Sequence, residues 1–327
     1  MEEESLIAVP SGPPEISVVM ACHNAEPFVG EAVESVCGQS FRDLELIVVD
    51  DGSTDASPTI VTELAAQDGR VRLVHQANAG PYPARNRGVR DARGKYIAFL
   101  DADDWWAPEA LERFWYALEE CDDAAIAYCG WQNVGLEGGR GAPYVPADYE
   151  ECDKVATFLR AASPWPIHAA LLRRDLFEQC GGFDLQWRTC MDYDLWLRIA
   201  TTHPIVRVPE VLAYYRHHDT GQITSTQWIQ ARNARLVKKK FIASHGECVR
   251  HLGRSELVRL VDGGLLKRAY DLYWRRDLVS ARHVFRQAIR TRAWRLRDLR
   301  YLLPALLPER LFVALVGLAD RRGRDAP

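Results

Sequence analysis

Apolar and polar positions along the first hundred residues fall into two alternating patterns. Short apolar-rich runs occupy Ile16 to Met20, Leu44 to Val49, Val71 to His75 and Tyr96 to Leu100. Runs of this length, bounded by polar residues, fit strands covered on both faces, as inside an α/β sheet. Between the first two runs, apolar residues recur at positions 28, 29, 32, 33, 36 and 37. That spacing is helical, and the stretches 58–67 and 82–93 read the same way. Strands alternating with helices predict a mostly parallel sheet with right-handed crossovers.

Further along, residues 108–120 have the pattern of an amphipathic helix, and 133–148, rich in Gly and Pro, read as a loop. The pattern predicts helices over 169–178 and 192–202, and an almost wholly helical chain after about Ser225. Residues 1–15, acidic and then Pro-rich, read as a flexible lead. The chain is thus expected to comprise a lead at 1–15, an α/β domain at 16–224 and a helical region at 225–327.

Charge sharpens that division. Residues 1–225 carry 18 Lys and Arg against 36 Asp and Glu, whereas residues 226–327 carry 23 against 9, so a net charge of −4 conceals halves of −18 and +14. The basic half, without a dense run beyond Lys238-Lys239-Lys240, is a poor nucleic-acid footprint. An anionic membrane surface or the acidic half are the better partners. Eight cysteines without C-x-x-C spacing argue against zinc and against a disulfide framework. The acidic start Met1-Glu2-Glu3-Glu4 does not read as a signal peptide, so a reducing cytoplasmic setting is expected. Near the far end, the apolar run Leu311 to Ala319 follows Pro304 and Pro308. It is too interrupted to span a bilayer. Packing on its own domain is the favoured placement, with a membrane interface as the alternative.

Three acidic clusters carry the candidate chemistry. Tyr96 to Leu100 ends in Asp101-Ala102-Asp103-Asp104, and Leu44 to Val49 ends in Asp50-Asp51-Gly52-Ser53. In a parallel sheet both ends face one edge, where open α/β sheets bind ligands. Crowded carboxylates repel unless a cation sits among them, and a divalent ion with oxygen ligands is the simplest candidate. Asp104 is expected to cap the helix starting near Pro108. Asp51 suits the ring N–H of a nucleobase, and Arg85 in Ala84-Arg85-Asn86-Arg87-Gly88 suits a phosphate or base. The third cluster is Asp192-Tyr193-Asp194, downstream of Gly181-Gly182-Phe183-Asp184. Asp192 and Asp194 are expected to point apart on a helix, with Asp194 pairing locally.

These residues carry a resemblance. The segment from Ile16 to Asn24, the run from Glu45 to Asp55, Ala84 to Gly88 and Phe99 to Asp104 stand in the order and spacing of family 2 glycosyltransferases. Over roughly residues 14–220 the chain resembles that family, which implies a GT-A, Rossmann-like sheet flanked by helices, with residues 225–327 as a helical extension. The resemblance places Ala21, His23, Asp51, Arg85, Asp101 and Ala102 at the donor nucleotide. It gives Mn²⁺ or Mg²⁺ to Asp103 with Asp101, and makes His217 or His218 a further candidate ligand. Asp192 becomes the general base, although Met191 stands where many relatives have Glu.

The implied reaction is inverting transfer of a sugar from a UDP- or dTDP-sugar to a hydroxyl of a growing glycan or lipid-linked saccharide. Peripheral membrane association through the basic region is a further expectation. Rival readings are an inert nucleotide-sugar-binding module and a metal-dependent nucleotidyltransferase. No Gly-rich triphosphate loop supports the latter, and no G-x-G-x-x-G supports a dehydrogenase.

Overall fold

The computed structural model describes residues 12–136, 138–160, 163–187, 189–217, 226–291 and 294–324. The chain divides into two compact units, one of residues 1–154, 163–186 and 194–220, the other of 155–162, 187–193 and 221–327.

The first unit is built on a sheet. Its strands are β1 (Ile16–Cys22), β2 (Leu44–Asp51), β3 (Val71–Gln76), β4 (Tyr96–Asp101), β5 (Trp105–Trp106), β6 (Ile126–Val134), β7 (Ala170–Arg173) and β8 (Ile205–Arg216). Among the described residues they form one sheet in the order β3-β2-β1-β4-β7-β6-β8-β5. All eight residues of β2 are buried, as are six of the seven in β1, which accounts for their apolar runs. Strands β1 to β4 run parallel, joined through α1 (Val29–Cys37), α2 (Ser57–Gln67) and α3 (Pro81–Asp91). Beyond β4 the sheet is mixed, because β7 pairs antiparallel with both β4 and β6, while β8 runs parallel to β6.

Two features position the candidate site. From β1 the chain builds outward through β2 to β3, then crosses back to place β4 on the other side of β1. The carboxyl ends of β1 and β4 therefore flank a switch point, the place where such sheets bind ligands. Close packing of α3 under that point depends on Gly88, where an added Cβ would lie 2.4 Å from Val19 Cγ1.

The predicted helix over 169–178 is half correct. Residues 170–173 are β7, and only 174–179 are helical, in α6 (Arg174–Gln179), which follows α4 (Ala110–Glu120) and α5 (Lys154–Arg160) along the chain. A four-residue apolar run fits either state by pattern, and the open edges of β4 and β6 decide it by hydrogen bonding. The helix predicted over 192–202 is α7 (Met191–Ala200). The helix predicted over 108–120 is α4.

The second unit carries α8 (Gln227–Ser244), α9 (Arg254–Asp262), α10 (Leu265–Trp274), α11 (Leu278–Ile289), α12 (Leu299–Leu302) and α13 (Glu309–Arg324). Ala269, Ala281, Val284, Phe285, Leu302 and Phe312 make its core, so the Leu311 to Ala319 run does pack on its own domain through Phe312 and Val316. No helix among the described residues is long and apolar enough to cross a membrane.

Candidate active site

Sheet register assembles the site. Parallel pairing sets Ala21 beside Asp101 and Cys22 beside Asp50, so residues eighty positions apart in sequence share one edge. Asp50 is held by the Ser53 amide at 3.1 Å and by His75 Nδ1 at 3.1 Å. Burial would raise its pKa, but these hydrogen bonds outweigh it and keep the carboxyl below its ordinary range. Gly52 turns the chain with φ of +72°, against the Asn78 backbone.

Asp51 is buried and anchors the loop leading into α3. Its Oδ1 accepts hydrogen bonds from Gln76 Nε2 (2.7 Å) and the Ala79 amide (2.8 Å), and its Oδ2 from the Gly80 amide (2.7 Å). Asp51 therefore shapes the turn. An oxygen with two lone pairs and one donor, such as Oδ2, can still take a second N–H. The exposed His23 ring lies 3.2 Å from Asn78 Nδ2 on the same loop.

Arg85 is buried on α3, its guanidinium 4.7 Å from the Tyr82 ring centre and paired with Asp101. The next residue, Asn86, ties this motif to Gly181-Gly182-Phe183-Asp184. It donates to the Phe183 carbonyl and accepts from the Phe183 amide, both at 3.0 Å. The sequence reading gave Asn86 no role, and only its place in the Ala84–Gly88 motif signalled one.

Asp101, Asp103 and Asp104 bring carboxylate oxygens within 4.8 Å of one another. The three are not equivalent. Asp101 and Asp103 are half-buried, whereas Asp104 is buried, with Oδ1 accepting the Arg216 amide hydrogen at 2.8 Å. Asp104 Oδ2 lies 3.1 Å from Nδ1 of the fully buried His168, too poorly aligned for a hydrogen bond. Burial, then the neighbouring Asp101 and Asp103, push the Asp104 pKa well above the carboxylate range. Burial likewise lowers His168 to about 4, so the imidazole is neutral at pH 7.

The expectation that Asp104 caps a helix is thereby corrected, since α4 starts at Ala110 with Glu109 at its N-cap. Asp104 instead fastens the acidic turn to the end of β8. Arg216 completes that fastening. Its Nε donates to the Asp103 carbonyl at 3.0 Å, its guanidinium stacks 4.5 Å from the Trp105 ring centre, and it pairs with Glu31 at 2.5 Å. Nothing in the sequence pattern singled out His168 or Arg216 for this work.

A cation fits this donor set. Carboxylate oxygens suit Mn²⁺ or Mg²⁺, and the half-buried Asp101 and Asp103 offer them. Ala102 between them is buried. His217 lies with Nε2 3.2 Å from Asn133 Oδ1, and His218 falls outside the described residues. Asp192, half-buried in the first turn of α7, belongs to the second compact unit. Asp194 pairs with Arg198 at 2.8 Å, as its helical spacing predicted. Arg198 in turn donates to the carbonyls of Cys180 and Gly182 and so holds the glycine turn.

Residues 17–181 match the family model of glycosyl transferase family 2. The uncharacterized glycosyltransferase EpsJ of Bacillus subtilis is 34% identical over 176 residues, covering 51% of this chain and 50% of that protein. The match thus spans about half the length of this curated relative. Among solved structures, Staphylococcus aureus TarS (1–349) in complex with UDP-GlcNAc superposes with a TM-score of 0.61 at 17% identity, covering 91% of this chain and 82% of that one. The mannosyltransferase PcManGT of Pyrobaculum calidifontis, in complex with GDP-Man and Mn²⁺, gives 0.56 at 20% identity, covering 90% and 86%. At such identities these two likenesses establish the fold.

Proposed function

This chain belongs to glycosyl transferase family 2, and from that premise we propose that it moves a sugar from a UDP- or dTDP-sugar to a hydroxyl of a growing glycan or lipid-linked saccharide, with inversion at the anomeric carbon. The observation that carries the reading is the placement of Asp51 at the end of β2, and of Asp101 with its partner Arg85 and Asp103 at the end of β4, along one carboxyl edge on either side of β1. The named ligands of the structural neighbours, UDP-GlcNAc for TarS and GDP-Man with Mn²⁺ for PcManGT, are consistent with it.

In this reading Ala21, His23 and Asp51 receive the nucleobase, with Asp51 Oδ2 accepting its ring N–H. Arg85 pairs with Asp101 and orients it at the ribose side. Asp103, with Asp101, holds Mn²⁺ or Mg²⁺. When bound, such a cation neutralises charge on the diphosphate. Asp192 takes the proton from the acceptor hydroxyl as its oxygen attacks, an assignment that rests on its position in the downstream motif alone. A reducing, cytoplasmic setting for the reaction is inferred from the eight cysteines, which have no C-x-x-C spacing and form no disulfide among the described residues.

The test is nucleoside-diphosphate release across a panel of UDP-, dTDP- and GDP-sugars, with Mn²⁺ and with EDTA. Release from a UDP- or dTDP-sugar that stops in EDTA is expected. Release confined to GDP-sugars would overturn the nucleobase assignment, and full activity in EDTA would overturn the metal assignment.

A further inference from the structure

The strongest unexplained surface lies on the second unit. Seven large apolar side chains within sixteen residues are exposed, at Leu303, Leu306, Leu307, Leu311, Val313, Leu315 and Leu318. The same segment sends Leu302, Ala305, Phe312 and Val316 into the unit's core. At 100° per residue, Leu311, Leu315 and Leu318 form one stripe along α13, and Phe312 with Val316 a second stripe about 100–120° round the helix. One stripe satisfies the domain and the other faces solvent. The short turn Pro304–Leu306 packs against α13, so the exposed Leu306, with Leu303 and Leu307 on either side of the turn, adds to the exposed apolar surface. Patches of this kind on a soluble protein mark a binding surface.

Charge identifies the occupant. Residues 294–324 carry seven arginines (295, 297, 300, 310, 321, 322 and 324) against three acidic residues. One of those three, Asp298, is spent internally on Tyr270 and on the Arg295 amide. Arg295, Arg297, Arg300 and Arg310 are exposed. An exposed apolar stripe within an arginine-rich segment is the composition of a helix lying in the interface of an anionic bilayer. A second copy of the chain is the poorer occupant, because a two-fold contact would set this arginine-rich face against itself.

We propose that the outer face of residues 303–318 docks the protein onto an anionic lipid surface, with Leu311, Leu315 and Leu318 entering the acyl boundary and the flanking arginines meeting headgroups. The inference goes beyond the proposed reaction and does not depend on it.

Sedimentation of the full chain with vesicles of 70% phosphatidylcholine and 30% phosphatidylglycerol tests it, beside vesicles of phosphatidylcholine alone. The wild type should pellet with the anionic vesicles, at least tenfold less with the neutral ones, and less as NaCl screens the arginines. A triple L311S/L315S/L318S variant should lose binding at least tenfold while keeping the wild-type circular dichroism, and L311I/L315I/L318I should retain it. No pelleting with anionic vesicles, or equal pelleting of the serine variant, would overturn the proposal. So would light scattering that shows a wild-type dimer that the serine variant abolishes, which would assign the face to a second copy.

Discussion

At the scale of single residues, the acidic turn separates charges by what surrounds them. Asp103 and Asp104 are adjacent, yet one is half-exposed and the other buried against His168. Burial and the nearby Asp101 and Asp103 push the Asp104 pKa up, and Asp104→Asn keeps an acceptor for the Arg216 amide without placing a charge there. That variant should keep metal-dependent UDP binding, whereas Asp103→Asn should lose it, as read by titration calorimetry with Mn²⁺. Asp104→Ala should instead cost about 1–3 kcal/mol of stability in urea unfolding, because it strands the part-buried Arg216 amide. If Asp192 is the base, Asp192→Asn leaves UDP affinity unchanged and cuts turnover roughly 10²–10⁴-fold, and a fully active variant would place the base elsewhere. The aspartates were legible from the sequence, because spacing and residue type signal them. The partners were not, since Arg216 and His168 lie 112 and 64 positions from Asp104 and belong to no local pattern.

At the scale of elements, two helices show how packing outranks propensity. Ala would favour α3 over Gly at position 88 by about 1 kcal/mol in an exposed helix. Here its Cβ would lie 2.4 Å from the fully buried Val19, and overpacking costs about 1–3 kcal/mol. Gly88→Ala should therefore destabilise the protein, on the order of 1 kcal/mol net, and a gain in urea midpoint would refute the packing argument. In α8, burial and then the nearby Arg268 lower Lys238 to about 8. The folded state thus gives up this proton before the unfolded state does. Between pH 8 and roughly 10.4 the unfolded chain binds more protons, so this lysine's contribution to stability rises with pH across that window. Below pH 8 its full penalty applies. Lys238→Met should accordingly stabilise the protein at pH 7, by up to about 3 kcal/mol, and the difference from wild type should shrink as pH climbs past 8. Of the elements, β1 to β4 and their helices were legible because each is a local periodic run. β7 was misread as helix because its state is set by two partner strands and not by its own four residues.

At the scale of the whole molecule, the chain divides into two compact units. Phe285 is fully buried in the second. Phe285→Ala should destabilise that unit by about 3–5 kcal/mol, seen as faster hydrogen exchange in α10 and α11, while amides of β1, β2 and β4 keep their protection. Uniform loss of protection would mean a single cooperative unit. The sequence by itself determined the strand–helix alternation, the charge asymmetry and the aspartates, because periodicity, composition and residue type are local properties. Only the tertiary structure decided that Asp101 and Asp103 stay half-buried while Asp104 is buried. It also decided that Asp51 is committed to a turn, and that one stripe of α13 is core while its neighbour meets solvent. For the aspartates this depends on which distant donors reach each carboxylate, which register across the sheet fixes, and for α13 on which neighbouring elements cover it; no local pattern encodes either.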